Sequence, residues 1–348
     1  MSPADIQGNR YVENTATKLT EAGFRLGRQV KAGSSLFVCI GSTIGKVSQS
    51  KSAVTTNQQI NSIVPIEDFD GNFVFSLLER RSSSIRILAA TQAVPIISKG
   101  SFSEIGVCVA SKPEQSSIGE FFRVLDDLIA ANQRKVEQLQ RLKQAYLQKL
   151  FPAPGQTVPR LRFSGFKGEW VPSQLGTVVD INPRAELPTS FEYVDLEAVV
   201  GTTLVSHRTE TRSSAPSRAQ RLAKRGDVFF QTVRPYQQNN YLFDLPRNDF
   251  VFSTGYAQLR SKMDCHFLMA RLQEARFVGE VLDCCTGTGY PTISVADLAS
   301  IVISVPSSSE QQAIGCFFQS LNDLILAQSM KIGYLKTVKQ AYLQRMFV

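Results

Sequence analysis

The sequence predicts an α+β protein, built as a pseudo-two-fold tandem repeat in which a mixed α/β domain is followed by a long helix. Three observations predict this class: one helical stretch occurs twice, its apolar residues recur every seven positions, and a strand-rich block precedes each copy. We expect the two helices to form an antiparallel coiled coil that joins two mixed α/β domains. The expected boundaries are 1–113 for the first domain, 114–151 for the first helix, 152–161 for a linker, 162–309 for the second domain and 310–348 for the second helix.

The repeated stretch carries the strongest signal in the chain. It opens with Glu-Gln-x-x-Ile-Gly-x-Phe-Phe at Glu114 and again at Glu310, and both copies close on Lys-Gln-Ala-Tyr-Leu-Gln. The copies share 20 identities in 38 aligned positions, which excludes two unrelated helices. Residues 121–151 contain neither Gly nor Pro, and Pro152 then ends the helix. A repeat at a fixed period indicates a duplicated architecture.

The apolar residues of each helix form a seam that is suited to burial against a second helix. Both seams hold one amide side chain, and a polar residue in such a seam typically fixes the register of the pair. The alternative is that each helix is an ordinary core helix of its own domain. The seam residues are Ile118, Leu125, Asn132, Leu139 and Tyr146 in the first copy, and Ile314, Leu321, Gln328, Leu335 and Tyr342 in the second.

Composition limits the chemistry that the chain can carry. Its 348 residues suffice for two domains, and a net charge of +8 with a pI near 9.2 is a weak pointer to nucleic acid. Six cysteines form no C-x-x-C pair and only two histidines exist, so we expect neither a zinc site nor a Ser-His-Asp arrangement. No apolar run approaches 18 residues and no signal peptide is evident, so we expect no membrane contact and a cytoplasmic location.

The two strand-rich blocks resemble each other faintly. A basic residue, a Gly and an apolar strand follow one another from Lys31 and again from Lys224. Short apolar runs at 36–40 and 60–66 predict strands in the first block, and the spacing over 73–90 predicts a helix. Because the blocks differ far more than the helices, we expect the helices to share one task and each domain to have its own.

These motifs resemble the specificity subunit of type I restriction–modification systems. The resemblance is carried by the start and end of each helix, by its Leu-Asp/Asn-Asp-Leu-Ile centre, and by the run Arg-Leu-Arg-Phe-Ser-Gly-Phe-Lys-Gly-Glu-Trp at 160–170. It covers nearly the whole chain. It implies two target-recognition domains that each read one half of a bipartite site in double-stranded DNA. The helices would then space these domains and dock two modification (methyltransferase) subunits.

The resemblance also assigns the catalytic work to other chains. It implies that this subunit has no catalysis and no cofactor of its own, and that S-adenosylmethionine, Mg and ATP belong to the modification and restriction subunits. The presence of a restriction subunit and self-association of this chain stay open. Because two half-sites on one face of a duplex lie about one helical turn (roughly 34 Å) apart, helix length is expected to set the spacer.

One departure from the family pattern concerns the first domain. Its block begins where residue 193 stands in the second block, and nothing in it matches 161–190. The first domain is therefore expected to be short at its N-terminal side, through a shortened gene, an alternative start, or completion by another chain.

Candidate DNA-contacting residues follow from the chemistry of the grooves. Arg and Lys bond guanine edges or phosphates, Asn and Gln bond adenine, and aromatic side chains stack. The alternatives are solvated hairpins for the polar loops, a tight turn for the Gly-rich stretch and a solvated helix face for the arginines. The candidates are Thr43, Lys46, Lys51, Asn57, Gln58, Arg80 and Arg81 in the first domain, and Arg234, Tyr236, Gln237, Gln238, Asn239, Thr288 and Tyr290 in the second.

Two rival functions were weighed on specific residues. The run Val-Leu-Asp-Cys-Cys-Thr-Gly-Thr-Gly at 281–289 resembles a cofactor turn of DNA adenine methyltransferases, with an apolar strand before the glycines. Pro291 follows instead of a helix, no Asn/Asp-Pro-Pro-Tyr/Phe motif exists, and the first domain has no counterpart. The other rival, a coiled-coil scaffold without a DNA role, explains the helices but not two diverged, polar-looped domains.

Overall fold

The computed structural model describes residues 1–12, 14–89, 95–287 and 289–347. The chain forms two units, a first unit of Met1–Val136 with Ala327–Val348 and a second unit of Glu137–Leu326. Each unit combines strands and helices, which confirms the predicted α+β class. Each of the two long helices begins in one unit and ends in the other.

The first unit begins with short strands and ends in the first long helix. The helix after the strands starts at an aspartate cap, because the Asp70 carboxylate accepts hydrogen bonds from the amides of Asn72 and Phe73. Its elements are α1 (Glu21–Leu26), β1 (Gln29–Val30), β2 (Ser35–Val38), β3 (Val47–Gln49), β4 (Val54–Thr55), β5 (Ile60–Ile63), α2 (Gly71–Ile87), α3 (Lys99–Ser103) and α4 (Lys112–Leu150).

The second unit repeats this plan with more strands. Its strands are β6 (Val171–Gln174), β7 (Val179–Ile181), β8 (Ser190–Val194), β9 (Val199–Val200), β10 (Thr203–Leu204), β11 (Arg208–Thr211), β12 (Ala219–Leu222), β13 (Asp227–Gln231), β14 (Tyr241–Leu242), β15 (Phe250–Ser253), β16 (Tyr256–Ser261) and β17 (Val302–Val305). Its helices are α5 (Leu175–Val178), α6 (Cys265–Leu272), α7 (Ala275–Asp283), α8 (Val295–Ser300) and α9 (Ser308–Met346).

A buried central strand organises the main sheet of each unit. In the first unit β2 is central in the antiparallel order β3-β2-β5, and in the second β13 is central in β14-β13-β16-β7. Every residue of β2 and β13 is buried, so burial along both strands is continuous and does not alternate between the two faces. The second unit adds a sheet in the order β11-β8-β15-β12, in which β8 and β15 are parallel.

The long helices begin and end two residues or fewer from their predicted bounds and pack antiparallel in the first unit. Leu125 and Ile129 of α4 cluster with Leu335 of α9. Ile118, nearer the start of α4, clusters with Leu343, nearer the end of α9. Contacts therefore advance along one helix while they retreat along the other, as in an antiparallel pair.

The polar and aromatic seam positions of the first unit behave differently from the leucines. Asn132 is buried, and its side-chain amide donates to the Leu128 carbonyl of its own helix at 2.7 Å. Gln328 is half-buried, and its Oε1 has no hydrogen-bond partner in the described chain. Tyr342 is 44% exposed, but its ring lies edge-on to Phe121 at a centroid distance of 5.1 Å.

In the second unit two of the remaining seam residues, Ile314 and Tyr146, belong to an aromatic cluster. Ile314 and Leu321 are buried, whereas Leu139 is half-buried. The Tyr146 ring lies edge-on to Phe317 at 4.8 Å. These positions place the end of α4 against the start of α9 within this unit.

The opening motif of α4 holds the cap of α2 in place. Gln115 Oε1 accepts from the Asp70 amide at 3.0 Å, while its Nε2 donates to the Ala110 carbonyl at 2.9 Å. Gly119 lies so close to the cap that a Cβ there would meet Asp70 Oδ1 at 2.5 Å and the Phe73 amide nitrogen at 2.7 Å. Only glycine allows this approach, which explains why Gln and Gly recur in both copies of the motif.

The second unit repeats this joint with different chain segments. Gln311 Oε1 accepts from the Asp264 amide at 3.1 Å, and its Nε2 donates to the Pro306 carbonyl at 2.9 Å. A Cβ at Gly315 would likewise overlap the Asp264 carboxylate. The repeated motif therefore attaches each long helix to the helix cap of its own unit.

Gly119→Ala should lower the free energy of unfolding by about 1–3 kcal/mol, since the cap must shift and lose hydrogen bonds. Gly333→Ala in α9 is the matched control, because its Cβ would meet nothing within 4 Å. That change should stabilise the helix by about 0.5–1 kcal/mol through its higher helix propensity. Chemical denaturation of the two variants tests the pair, and equal effects would contradict the joint described above.

Candidate nucleic-acid interface

The polar loop after β13 is held in shape by its own amides. Asn240 is buried, and its Oδ1 accepts from the Gln231 amide at 2.9 Å. The Gln231 side chain in turn donates to Gln237 Oε1 at 2.8 Å and accepts from the Asn239 amide. A short 3₁₀ helix, Pro235–Gln237, forms the tip of the loop. The loop is thus a defined structure rather than a loose hairpin.

Arg234 and Tyr290, predicted from distant stretches, lie together in the second unit. The Arg234 guanidinium carbon is 4.0 Å from the centroid of the Tyr290 ring, and Tyr290 is 67% exposed. The Arg234 amide donates to the Pro291 carbonyl at 2.7 Å, and a β-bridge joins Val233 to Thr292. Arg234 adopts a left-handed φ of 54°, which non-glycine residues adopt at a cost. A stacked guanidinium at the surface is a geometry suited to a base edge or a phosphate.

The other predicted residues of this loop divide into exposed and committed side chains. Tyr236 is 50% exposed, and Gln238 is half-buried with a left-handed φ of 54°. Asn239 Oδ1 accepts from the Gly201 amide at 2.8 Å, so this side chain supports a neighbouring turn. Thr288 lies outside the described residues. The loop therefore exposes Tyr236, Gln237 and Tyr290, whereas Arg234 is half-buried and its Nε has no hydrogen-bond partner in the described chain.

The corresponding loop of the first unit follows β2. Gly41 and Gly45 have φ near 90°, and Thr43 lies half-buried between them. Lys46 turns inward, because its Nζ donates to the Ile6 carbonyl at 2.9 Å. The loop packs on α2, where the Ser82 hydroxyl donates to the Gly45 carbonyl. This loop holds fewer exposed long side chains than its counterpart in the second unit.

The remaining first-unit candidates differ in exposure. Lys51 is exposed, with its Nζ 5.9 Å from the centroid of the Tyr11 ring. Asn57 and Gln58 are exposed next to β5, and Asn57 donates to Gln59 Oε1 at 3.0 Å. Lys51, Asn57 and Gln58 are thus all accessible at the surface of the first unit.

The arginines of α2 are only partly available. Arg80 and Arg81 are half-buried, and the Nε atom of each is buried without a hydrogen-bond partner in the described chain. Arg86, which lies further along α2, is exposed. A Cβ added at Gly45 would lie 3.6 Å from the Cβ and Cδ atoms of Arg86. Arg86 is therefore the α2 arginine that accompanies the β2 loop.

The Gly-rich stretch lacks the backbone of a cofactor turn. Residues 281–283 end helix α7, whereas the methyltransferase interpretation requires an apolar strand there. The chain then returns through a bridge between Thr286 and Thr292, and α8 starts only at Val295. The expected strand–turn–helix order is absent from the described residues around the glycines, so this alternative loses its structural basis.

Sequence reasoning missed a pair of lysines at equivalent positions of the long helices, of which Lys339 is buried and Lys143 is half-buried. In the first unit Lys339 Nζ lies 2.6 Å from both Glu79 Oε2 and Asp126 Oδ1. In the second unit Lys143 Nζ donates to Gln273 Oε1 at 2.6 Å, and burial lowers its pKa to about 8. A sequence signal for this difference exists, because Asn322 stands in the second copy where Asp126 stands in the first. The residues that contact each lysine lie far from it along the chain, so the signal could not be interpreted from the sequence.

Neither a metal-ligand cluster nor a membrane-spanning helix occurs among the described residues. No cluster of three or more His, Cys, Asp or Glu side chains suited to a metal ion occurs among them. None of the helices in the described ranges is both long and apolar enough to cross a membrane.

The chain is similar to several known proteins of one kind. Residues 9–141 match the family model of the type I restriction modification DNA specificity domain. The chain is 21% identical over 305 residues to the type I restriction enzyme MjaVIII specificity subunit of Methanocaldococcus jannaschii, covering 82% of this chain and 71% of that protein. It is 18% identical over 333 residues to the MjaIX specificity subunit of the same organism, covering 87% and 74%.

Solved structures share the fold. The S subunit of a type I restriction-modification system from M. genitalium aligns with a TM-score of 0.65 at 15% identity, over 92% of this chain and 84% of that one. A chain from a study of complex assembly and conformational transition of the type I R-M system aligns at 0.54 and 17% identity, over 99% and 90%. The chain is similar to type I restriction–modification specificity subunits, and its residues 9–141 carry the match to their DNA specificity domain.

Proposed function

We propose that this chain reads a bipartite site in double-stranded DNA, with one half-site assigned to each unit. The observation that carries the proposal is the repeated placement of a polar loop after the buried central strand of each main sheet. The two loops hold different side chains, with Thr43 in one and Arg234 and Tyr236 in the other. Different donors and acceptors at equivalent positions suit two different half-sites.

The long helices would serve as spacer and docking surface in this proposal. A helix of 39 residues is about 58 Å long, which exceeds the roughly 34 Å between half-sites one helical turn apart. The exposed side chains of the helices, including Leu128 and Tyr334, offer apolar area to modification subunits. We infer that two such subunits dock there, and that restriction subunits join where they exist.

The catalytic steps would belong to those partners. We infer that this chain supplies DNA affinity without catalysis, and that S-adenosylmethionine, Mg and ATP bind to the modification and restriction subunits. DNA in the cytoplasm would then be its site of action. The basic balance of the chain favours such a role, because lysines and arginines displace counterions from DNA.

Arg234→Ala should weaken binding to the cognate DNA about 10- to 100-fold, because a guanidinium on a base edge contributes about 1–3 kcal/mol. The cognate site is first obtained by mapping adenine methylation in cells that express the chain with its modification subunit. Affinity for that duplex is then measured at fixed salt with the purified complex. In cells, the variant should methylate the cognate site less. The dependence on sequence should weaken at one position of one half-site, and methylation should still require the other half-site.

Arg225→Ala is the matched control, since it removes the same charge from the same unit. Its guanidinium is already paired with Asp244 at 2.6 Å, so the affinity should change less than about threefold. Equal losses in both variants would reduce the Arg234 effect to general electrostatics. A methylation map without a bipartite motif would overturn the proposed function itself.

A further inference from the structure

Most arginines of the second unit are paired with a carboxylate, and a few are not. Residues 162–309 contain twelve arginines, and eight of them form ion pairs with aspartate or glutamate side chains. The paired residues are Arg162, Arg208, Arg212, Arg225, Arg247, Arg260, Arg271 and Arg276. The remaining four, Arg184, Arg218, Arg221 and Arg234, have no carboxylate within ion-pair distance among the described residues.

Two of the four unpaired arginines flank the turn between β15 and β16, which holds Thr254 and Gly255. The Arg218 carbonyl accepts a hydrogen bond from the Thr254 amide at 2.8 Å. The Gly255 carbonyl accepts from the Thr232 amide at 3.0 Å and from the Thr232 hydroxyl at 2.9 Å. Because Thr232 stands two residues before Arg234, the segments of Arg218 and Arg234 both lie against this turn.

The other two unpaired arginines stand beside the strands of the same hairpin. Arg221 lies opposite Phe252 in the β12–β15 pair, two residues before the turn. Arg184 follows β7, and Asn182, two residues before it, exchanges two hydrogen bonds with Gln258 of β16. The Asn182 amide donates to the Gln258 carbonyl at 2.8 Å, and the Asn182 Oδ1 accepts from the Gln258 amide at 2.9 Å. The four uncompensated charges therefore belong to segments that meet at one hairpin.

These arginines lack an anion, and two of them are partly removed from water. Arg184 and Arg218 are exposed, whereas Arg221 and Arg234 are half-buried with Nε atoms that have no hydrogen-bond partner in the described chain. Burial lowers the pKa of the Arg221 guanidinium, because desolvation disfavours its charged form. A partly desolvated cation without a counter-charge costs free energy, and an anion from outside the chain would offset that cost.

The arrangement suits the phosphates of a DNA strand. A guanidinium presents its donors in a planar fork that matches a phosphate group, and phosphates recur along a strand at short, regular intervals. Several arginines spread around one hairpin match such a series better than they match a single carboxylate. A loop that contacts base edges also needs neighbouring phosphate contacts, since those contacts fix its register on the duplex.

We propose that Arg184, Arg218 and Arg221 bind phosphate groups of the DNA strand that passes the polar loop after β13. These arginines hold the duplex against the loop and select no base themselves. The inference rests on the proposed function and adds to it the backbone contacts of the second unit.

The test measures how binding of duplex DNA depends on salt, with the purified complex of the chain and its modification subunit. Arg218→Ala should make the slope of log affinity against log salt shallower by about one, and Arg184→Ala combined with Arg218→Ala by about two. Affinity should fall about 3- to 10-fold per arginine. The cognate duplex and a scrambled duplex should lose affinity by the same factor, because phosphates carry no sequence information.

Arg221→Met separates DNA binding from folding. Methionine keeps a long apolar side chain and removes the charge, so the DNA affinity should fall as it does for Arg218→Ala. The urea midpoint of unfolding should stay the same or rise, because a partly desolvated cation without a counter-charge has been removed. A large fall in that midpoint would show that Arg221 supports the fold, and it would overturn the assignment of this residue.

Lys167→Ala is the matched control, because Lys167 is exposed and has no carboxylate within ion-pair distance in the described chain. It lies on the segment before β6, where its carbonyl accepts a hydrogen bond from Arg162 at 3.1 Å. The salt slope of this variant should equal that of the unchanged complex. An equal reduction of the slope by Lys167→Ala would attribute the arginine effects to net charge and would overturn the proposal.

The remaining outcomes distinguish this inference from the proposed function. Unchanged salt slopes in the arginine variants, with methylation of a bipartite site retained, would overturn the phosphate contacts and leave the proposed function intact. Loss of the modification subunit from these variants on co-purification would identify a carboxylate of that subunit as the anion, which also overturns the contacts. A complex without affinity for any duplex would overturn both.

Discussion

Leu125→Asp should lower the free energy of unfolding by about 3–5 kcal/mol, whereas Leu128→Asp should change it by about 0.5 kcal/mol or less. Leu125 is 9% exposed and clusters with Ile129 and Leu335 across the helix pair. An aspartate there loses the apolar contacts and leaves a charge without a partner in a buried seam. Leu128 is on the same helix but 41% exposed, so its aspartate stays in water.

Thermal and urea unfolding would measure the two variants side by side. Co-purification with the modification subunit adds a second readout, because a separated helix pair cannot present a docking surface. Leu125→Asp should lose the partner together with the helix pair. Leu128→Asp should keep the helix pair, and loss of the partner in that variant is the result expected if its exposed face is the docking surface. A stable Leu125→Asp chain would contradict the helix packing described for the first unit.

The helices could be predicted from the sequence because the residue pattern that specifies them is local and occurs in two copies. The seven-residue spacing places Leu125 and Leu335 in one seam, and two copies of one sequence make an antiparallel pair self-consistent. The predicted helix bounds differ from the observed ones by one or two residues, since caps decide the ends: α4 starts at Lys112.

The recognition loops could be predicted only in part, because their geometry depends on distant segments. Arg234 and Tyr290 were both candidates, yet their stacking depends on a bridge between Val233 and Thr292 that no local pattern reveals. Lys46 was a candidate by type, but its Nζ reaches a carbonyl of the N-terminal segment, at Ile6. Such contacts follow from tertiary packing, which overrides residue-type expectations.

The two equivalent lysines show what a repeat comparison adds to pattern reading. Lys339 and Lys143 occupy the same position of the repeat, but Glu79 and Asp126 surround the first, whereas Gln273 is the partner of the second. One repeat therefore buries Lys339 in an ion network, and the other pairs the half-buried Lys143 with a neutral amide. The two helices have similar sequences, but the domain around each helix determines whether the equivalent lysine stabilises or destabilises the fold.

Lys339→Met should destabilise the chain by about 3–5 kcal/mol at neutral pH, because it leaves the buried Asp126 carboxylate and the half-buried Glu79 carboxylate facing the Arg10 guanidinium alone. Arg10 Nη1 lies 3.1 Å from Asp126 Oδ2, and both side chains are under a tenth exposed. Burial already raises the pKa of Glu79, and Lys339 opposes that rise. Without the lysine the Glu79 pKa rises further, so the folded variant takes up a proton before the unfolded chain does. The stability of the variant should therefore fall as the pH rises from the Glu79 pKa of the unfolded chain through the higher pKa of the folded variant.

Lys143→Met is the matched change in the other repeat and should cost about 1 kcal/mol or less, or even stabilise. No carboxylate of the described chain lies within ion-pair distance of Lys143, so no buried charge is left behind. The folded pKa of about 8 lies below the ordinary 10.5, so the unfolded chain binds more protons between these values. Stability of the unchanged chain, measured against Lys143→Met, should rise from pH 8 toward pH 10.5. Equal losses in the two methionine variants, or a flat pH difference, would contradict the assignment of one ion network and one neutral partner.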